Sequence, residues 1–201
     1  MRTSPLNVLV ERLESVEALD GLGRTAGRAV RGLISDGVPK DVLSGAWLGH
    51  ALHPIMTDIP IGAWMSSVLL DWTGGRDSRS AADRLVLTGV LAAGATVATG
   101  WSDWADVEQR DAAVRRSGLV HAAANATATA LMIGSYVARK RGARGRGRLL
   151  SLAGSAALGA GGWLGGHLSY TLGAGVTAGA LAAGDGGHGV RLSAGGGNPD
   201  L

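Results

Sequence analysis

The sequence contains no cysteine and no phenylalanine, and it has only two tyrosines and two lysines, Lys40 and Lys140, among 19 basic residues. Without cysteine this polypeptide can form no disulfide, thiolate metal site, iron–sulfur cluster or cysteine nucleophile. So few Phe and Tyr side chains leave little of the aromatic packing expected around a porphyrin. A formal charge of +3, scattered along the chain, argues against a nucleic-acid groove. There is no nucleophile elbow, no H-E-x-x-H and no phosphate loop, which sets hydrolase and transferase chemistry aside. A G-x-G-x-x-G spacing at Gly184, Gly186 and Gly189 has no strand before it and no helix after it, so it implies no nucleotide. No charged-then-apolar segment ends in a small-residue cleavage site, so no signal peptide is expected.

What the chain does have is length for one domain, 34 glycines among 201 residues, and four long apolar stretches. They run over about 54–72, 84–101, 118–138 and 149–172. The last three are apolar all round, which suits lipid better than the one-sided burial of a soluble bundle. Small residues recur every four positions at Gly118, Ala122, Ala126, Ala130 and Gly134, and again at Ala153, Ala157, Gly161 and Gly165. Such ladders allow close helix approach in lipid. The expected fold class is therefore all-α, a four-helix transmembrane bundle preceded by short amphipathic helices.

Residues 1–40 are expected to form those amphipathic helices, 41–175 the four-span domain and 176–201 a flexible Gly-rich tail. The first helix should start at Ser4-Pro5 and stop near Gly21. The second should have Leu22, Ala26, Ala29, Val30, Leu33 and Ile34 on one side and Arg24, Arg28 and Arg31 on the other, and both helices should lie on the membrane surface or pack on the bundle. Between the third and fourth stretches, "ARKRGARGRGR" reads as a cytoplasmic loop by the positive-inside rule, joined on that side by Arg76 and Arg79. Both termini are then expected to be extracytoplasmic.

Parity of the spans predicts one more feature. His50 and His53 precede the first span, His121 starts the third and His167 ends the fourth, so all four fall at one membrane face. Asp58, Trp101, Asp103, Trp104, Asn125 and Tyr170 lie at the same level and are candidate pocket residues. Ionisable groups are costly in lipid, and several together suggest a cofactor or partner. The candidates are haem b held by two histidines, His53 with His121 or His167, or an imidazole-ligated metal using Asp58 or Asp103 as well. A quinone or a redox protein would then be the exchange partner. A non-catalytic structural or partner-binding role, in which the polar groups join neighbouring helices or lipid headgroups, remains the alternative.

The motifs "GAWLGHALHPIMTDIPIGAW", "TGWSDW", "GLVHAAAN" and "GGWLGGHLSY" resemble the bacterial membrane family called domain of unknown function 2231. His53, Pro54, Pro60 and Gly62, as H-P-x5-P-x-G, are the most specific part, and the resemblance extends from about Asp41 to Gly175. It implies a four-helix integral domain in the bacterial inner membrane and supplies no activity or catalytic residue. Some relatives carry a Rieske-type domain after the fourth span, which implies redox surroundings. This chain has only the Gly-rich tail there, and no cysteine for such a centre.

Overall fold

The computed structural model describes residues 5–174, which are helical without strands. Ser4, the Gly-rich tail with its G-x-G-x-x-G spacing, and His188 lie outside the described residues. Three short helices, α1 (Pro5–Glu14), α2 (Leu19–Leu33) and α3 (Val38–Ser44), lead into four long ones. These are α4 (Leu52–Thr73), α5 (Arg79–Val107), α6 (Ala112–Lys140) and α7 (Arg144–Gly166), the last continuing as a π-helical turn over His167–Thr171. Each expected apolar stretch lies on one of the long helices. Helix α4 packs on α5 and α6 on α7, and the two hairpins close a ring through α5–α6 and α4–α7 contacts.

The interior combines an apolar cluster of Trp64, Val86, Ala93, Ala128, Met132 and Leu158 with many buried polar groups, and many large apolar side chains face outward. Ser67, Ser102, Ser117, Ser135 and Ser151 are buried, with Asp71 and Arg139, while Ile55, Ile59, Met65, Leu69, Leu91, Ile133, Leu149 and Leu152 are exposed. By length and composition, α5 alone among the described helices is long and apolar enough to cross a membrane. Helix α4 includes Asp58, Asp71 and two prolines besides His53, while Gly, Ser, Thr and terminal Arg residues dilute α6 and α7.

The small residues do not pack as four-residue ladders. Ala126, Ala130 and Ala153 are exposed, because a strict four-residue spacing drifts about 40° around an α-helix at each step. The packed positions instead alternate four and three apart, as in a coiled coil. On α6 they are Val114, Gly118, His121, Asn125, Ala128, Met132, Ser135 and Arg139. On α7 and its π-helical continuation they are Gly147, Ser151, Gly154, Leu158, Gly161, Gly165 and Leu168. Glycines here seat large side chains of the facing helix. A Cβ at Gly147 would come 2.6 Å from Arg139 Cγ, one at Gly154 3.2 Å from Met132 Cε, and one at Gly161 2.7 Å from Asn125 Oδ1.

The same contacts occur in both hairpins. Trp64, Ser67 and Asp71 follow His53 at the intervals at which Met132, Ser135 and Arg139 follow His121. On the return helices, Ala82, Gly89, Thr96 and Gly100 are spaced as Gly147, Gly154, Gly161 and Gly165. Ser67 Oγ donates to the Ala82 carbonyl at 2.9 Å, and Ser135 Oγ donates to that of Gly147 at 2.7 Å. Trp64 rests on Gly89 as Met132 rests on Gly154. The bundle is thus two like hairpins about an approximate two-fold axis.

The N-terminal helices differ from expectation. Helix α1 ends at Glu14, and Gly21 lies inside α2. Leu22 and Leu33 point outward, whereas Gly23 and Gly27 form the buried face of α2. The reason is steric: a Cβ at Gly23 would meet Arg115, and one at Gly27 would meet Glu108. Arg31, expected on the side opposite Leu22 and Leu33, donates to Glu108 at 2.9 Å and to the Ala105 carbonyl at 2.7 Å. Helix α3 crosses the boundary expected at residue 40.

Candidate functional site

Each hairpin holds one histidine against a backbone carbonyl of its own return helix. His53 Nδ1 lies 3.0 Å from the Thr96 carbonyl and 3.1 Å from Thr99 Oγ1, and His121 Nδ1 lies 2.8 Å from the Gly161 carbonyl. A carbonyl only accepts, so Nδ1 carries a proton in both rings, and in the neutral imidazole Nε2 keeps its lone pair. The Asn125 amide nitrogen is 3.3 Å from His121 Nδ1 and 3.2 Å from Nε2. Near-equal distances place it over the ring face, off the lone-pair direction, and it donates to the His121 carbonyl at 3.0 Å. Glycines make room for both rings: a Cβ would approach His53 Cε1 to 2.6 Å at Gly100 and His121 Cε1 to 2.9 Å at Gly165.

The two imidazoles meet edge to face, with centroids 6.5 Å apart and planes at 83°. They come from α4 and α6, at equivalent places in the two hairpins, so the approximate two-fold axis passes between them.

Pro60 gives this arrangement its local logic. Lacking an N–H, it leaves the Met56 carbonyl without its helical donor. Thr96 Oγ1 of α5 lies 3.0 Å from that carbonyl and 3.0 Å from the Ala92 carbonyl of its own helix, so its one proton is shared between them, while the Thr96 carbonyl receives His53. One threonine therefore serves the proline gap in part and orients the imidazole. Helix α4 runs on through Pro60 without interruption.

The other expected site residues scatter. His167 stacks on Trp163 at 6.3 Å and meets Glu14 of α1 at 2.7 Å through Nε2. His50 and Asp58 are exposed, and Tyr170 is 91 % exposed. Trp101 and Trp104 pack edge to face at 5.2 Å, with Trp104 Nε1 donating to the Val114 carbonyl at 3.3 Å. Asp103 is half-buried beside Ser102, whose carbonyl accepts from Lys40 of α3 at 2.6 Å; Lys40 also pairs with Asp106 at 2.8 Å. The structure therefore brings together His53, His121 and Asn125 of the expected set. Among the described residues, no three or more His, Cys, Asp or Glu side chains are grouped to hold a metal ion.

Two charged clusters escaped the sequence reading. At the histidine end, Asp20 of α2 accepts from Arg115 at 3.0 Å and Arg116 at 2.7 Å. The hydrogen bond from Arg116, followed by that from Arg115, holds the Asp20 carboxyl well below the usual carboxylate range. At the opposite end, Arg139 forms a two-pronged ion pair with Asp71, and both side chains are buried. Asp83 joins at 3.2 Å from Arg139 and 2.9 Å from Arg144, and Arg148 lies 3.6 Å from Asp71. The expected basic loop is thus mostly helix ends, with only Arg141, Gly142 and Ala143 between α6 and α7. The equal intervals from His53 to Asp71 and from His121 to Arg139 were the available signal for this pairing.

Helices that bury serine, glycine and an ion pair beside an apolar cluster, and that expose Ile, Leu and Met, make an all-helical protein with an apolar outer surface. The sequence comparison agrees: residues 49–178 match the family described as Predicted membrane protein (DUF2231), and the chain belongs to that family. No curated protein and no solved structure matches the chain.

Proposed function

We propose that the protein spans the bacterial inner membrane four times and binds haem b between His53 and His121 for electron transfer. The observation that supports this is the imidazole pair. Two imidazoles on one metal at about 2 Å per bond would place their centroids a little over ~6 Å apart, close to the 6.5 Å found, and one ring would turn from its edge-to-face packing to aim Nε2 at the metal. Two protein ligands are too few for a bare ion, whereas a porphyrin brings four nitrogens of its own. This donor set favours haem over an ion held by the protein alone. The Thr96 and Gly161 carbonyls fix both rings with Nε2 bare and raise their basicity, as outer-shell partners of metal-bound histidines do. Bound haem would supply one-electron chemistry, with a quinone or a redox protein as partner.

The four-span reading rests on the apolar outer faces of all four long helices. The basic ends of α6 and α7 would face the cytoplasm with the 74–78 turn, and both termini the other side.

A second reading has its own support. Each histidine is already accounted for as a staple between two helices, and the same staple occurs twice. In that reading the protein is a structural or partner-binding membrane component.

An absorption spectrum of the detergent-purified protein, expressed with haem and metals supplied, separates the two. The haem reading expects a Soret band that shifts on dithionite reduction, with sharp reduced-state bands. His53→Ala and His121→Ala should each abolish them, and His50→Ala should leave them unchanged. A folded, colourless, metal-free preparation would leave the structural reading.

A further inference from the structure

At the end of the bundle away from the histidines, a cavity of about 350 Å³ opens between α5 and α6, lined by Ser80, Asp83, Arg84, Leu87, Tyr136 and Lys140. We propose that it binds the phosphate headgroup of an anionic phospholipid. The proposal rests on the membrane-spanning reading above and is independent of the haem.

The charge balance favours an anion. Asp83, the acid in the wall, is already occupied by Arg139 and Arg144. Behind the wall, the guanidinium groups of Arg139, Arg144 and Arg148 face only two carboxylates, Asp71 and Asp83, leaving one positive charge in excess. Arg84 and Lys140 add two more at the mouth. Both are exposed, and neither is in an ion pair among the described residues; Lys140 Nζ sits 5.3 Å over the Tyr136 ring. A soluble anion would need no more than this. A lipid also needs an apolar track, and one is present: Leu87 and Tyr136 form the inner wall, with Leu91 and Ile133 exposed one turn deeper.

The internal repeat isolates the feature. In the equivalent groove between α4 and α7, Leu149 stands at the place of Arg84, Trp72 at that of Lys140 and Val68 at that of Tyr136. Arg148 stands in the mate groove at the place of Asp83 and is turned to Asp71, so the two cations without an acid partner, Arg84 and Lys140, belong to the α5–α6 groove. Basic pockets between membrane helices on the cytoplasmic side have the chemistry to hold anionic headgroups.

The test is a titration of the full chain in detergent with phosphatidylglycerol carrying a fluorescent acyl chain. Unlabelled phosphatidylglycerol should displace the probe, whereas phosphatidylcholine and glycerol 3-phosphate should not. Arg84→Gln with Lys140→Gln should weaken binding roughly 30-fold, Arg84→Lys should retain it, and Leu149→Ala in the mate groove should leave it unchanged. Both altered side chains are exposed, and an unchanged melting curve confirms that the fold persists. Equal displacement by phosphatidylcholine, or full affinity in the double variant, would overturn the proposal. Displacement by glycerol 3-phosphate would overturn it in favour of a soluble phosphate ligand. Release of the chain from membranes by alkaline carbonate would instead refute the membrane-spanning reading.

Discussion

Gly165 lies against the imidazole of His121, so close that a Cβ there would stand 2.9 Å from Cε1. Gly159, on the same helix, has nothing within 4 Å of that position. Gly165→Ala should therefore displace the ring from the Gly161 carbonyl and destabilise the protein by about 1–3 kcal/mol. Gly159→Ala should be neutral or stabilise by up to about 1 kcal/mol. Thermal unfolding in detergent decides it, and equal effects would mean that the seat is not specific.

Asp71 and Arg139 set a second expectation. Asp71→Ala leaves a buried guanidinium without its main partner and should cost about 3–5 kcal/mol. Replacing both, Asp71→Leu with Arg139→Met, should cost less than either single change, because the fully buried guanidinium leaves with its partner and Arg148, which also faces Asp71, is a third exposed to solvent. A double-mutant cycle on unfolding free energies measures the coupling.

Thr96→Val removes the hydroxyl that serves the Met56 carbonyl while leaving the Thr96 carbonyl in place for His53. The expected loss is about 1 kcal/mol. Replacing Pro60 with Ala in the same background should recover part of it, since the Ala N–H restores the missing helical donor. No recovery would show that the hydroxyl does not compensate for the proline.

Asp20 predicts an acid response at the N-terminal helices. Its carboxyl is held down in the folded state, so its contribution to stability is complete above the unfolded value near ~3.9. That contribution is lost as pH falls below this value toward the folded one. Proteolysis of the α1–α2 segment should therefore increase on acidification below that point. Asp20→Asn should already be susceptible at neutral pH, with a weaker acid response.

The four long helices are legible in the sequence because each contains a long, mostly apolar stretch, even where Asp58 and Asp71 interrupt that of α4. Their packing faces are not. Hydropathy finds a coiled-coil seam when the seam is apolar and the outside polar. Here His121, Asn125, Ser135 and Arg139 occupy the seam of α6, and glycine and serine much of that of α7, while leucine and isoleucine face out. Small residues were read at the wrong interval for the same reason. Of the site, span parity put His53, His121 and Asn125 at one level. Parity gives level but not rotation about each helix, so His50, His167, Asp58 and Tyr170 could not be separated from them.

The approximate two-fold axis has a consequence for how this protein could be assembled. Had two identical copies of one hairpin associated, the positions of Asp71 and Arg139 would hold the same residue, and two like charges would confront each other out of water. Joining the halves in a single polypeptide lets those positions differ. At one end the halves keep matching imidazoles; at the other they have become opposites that recognise each other. Neither half could then be replaced by a second copy of its neighbour.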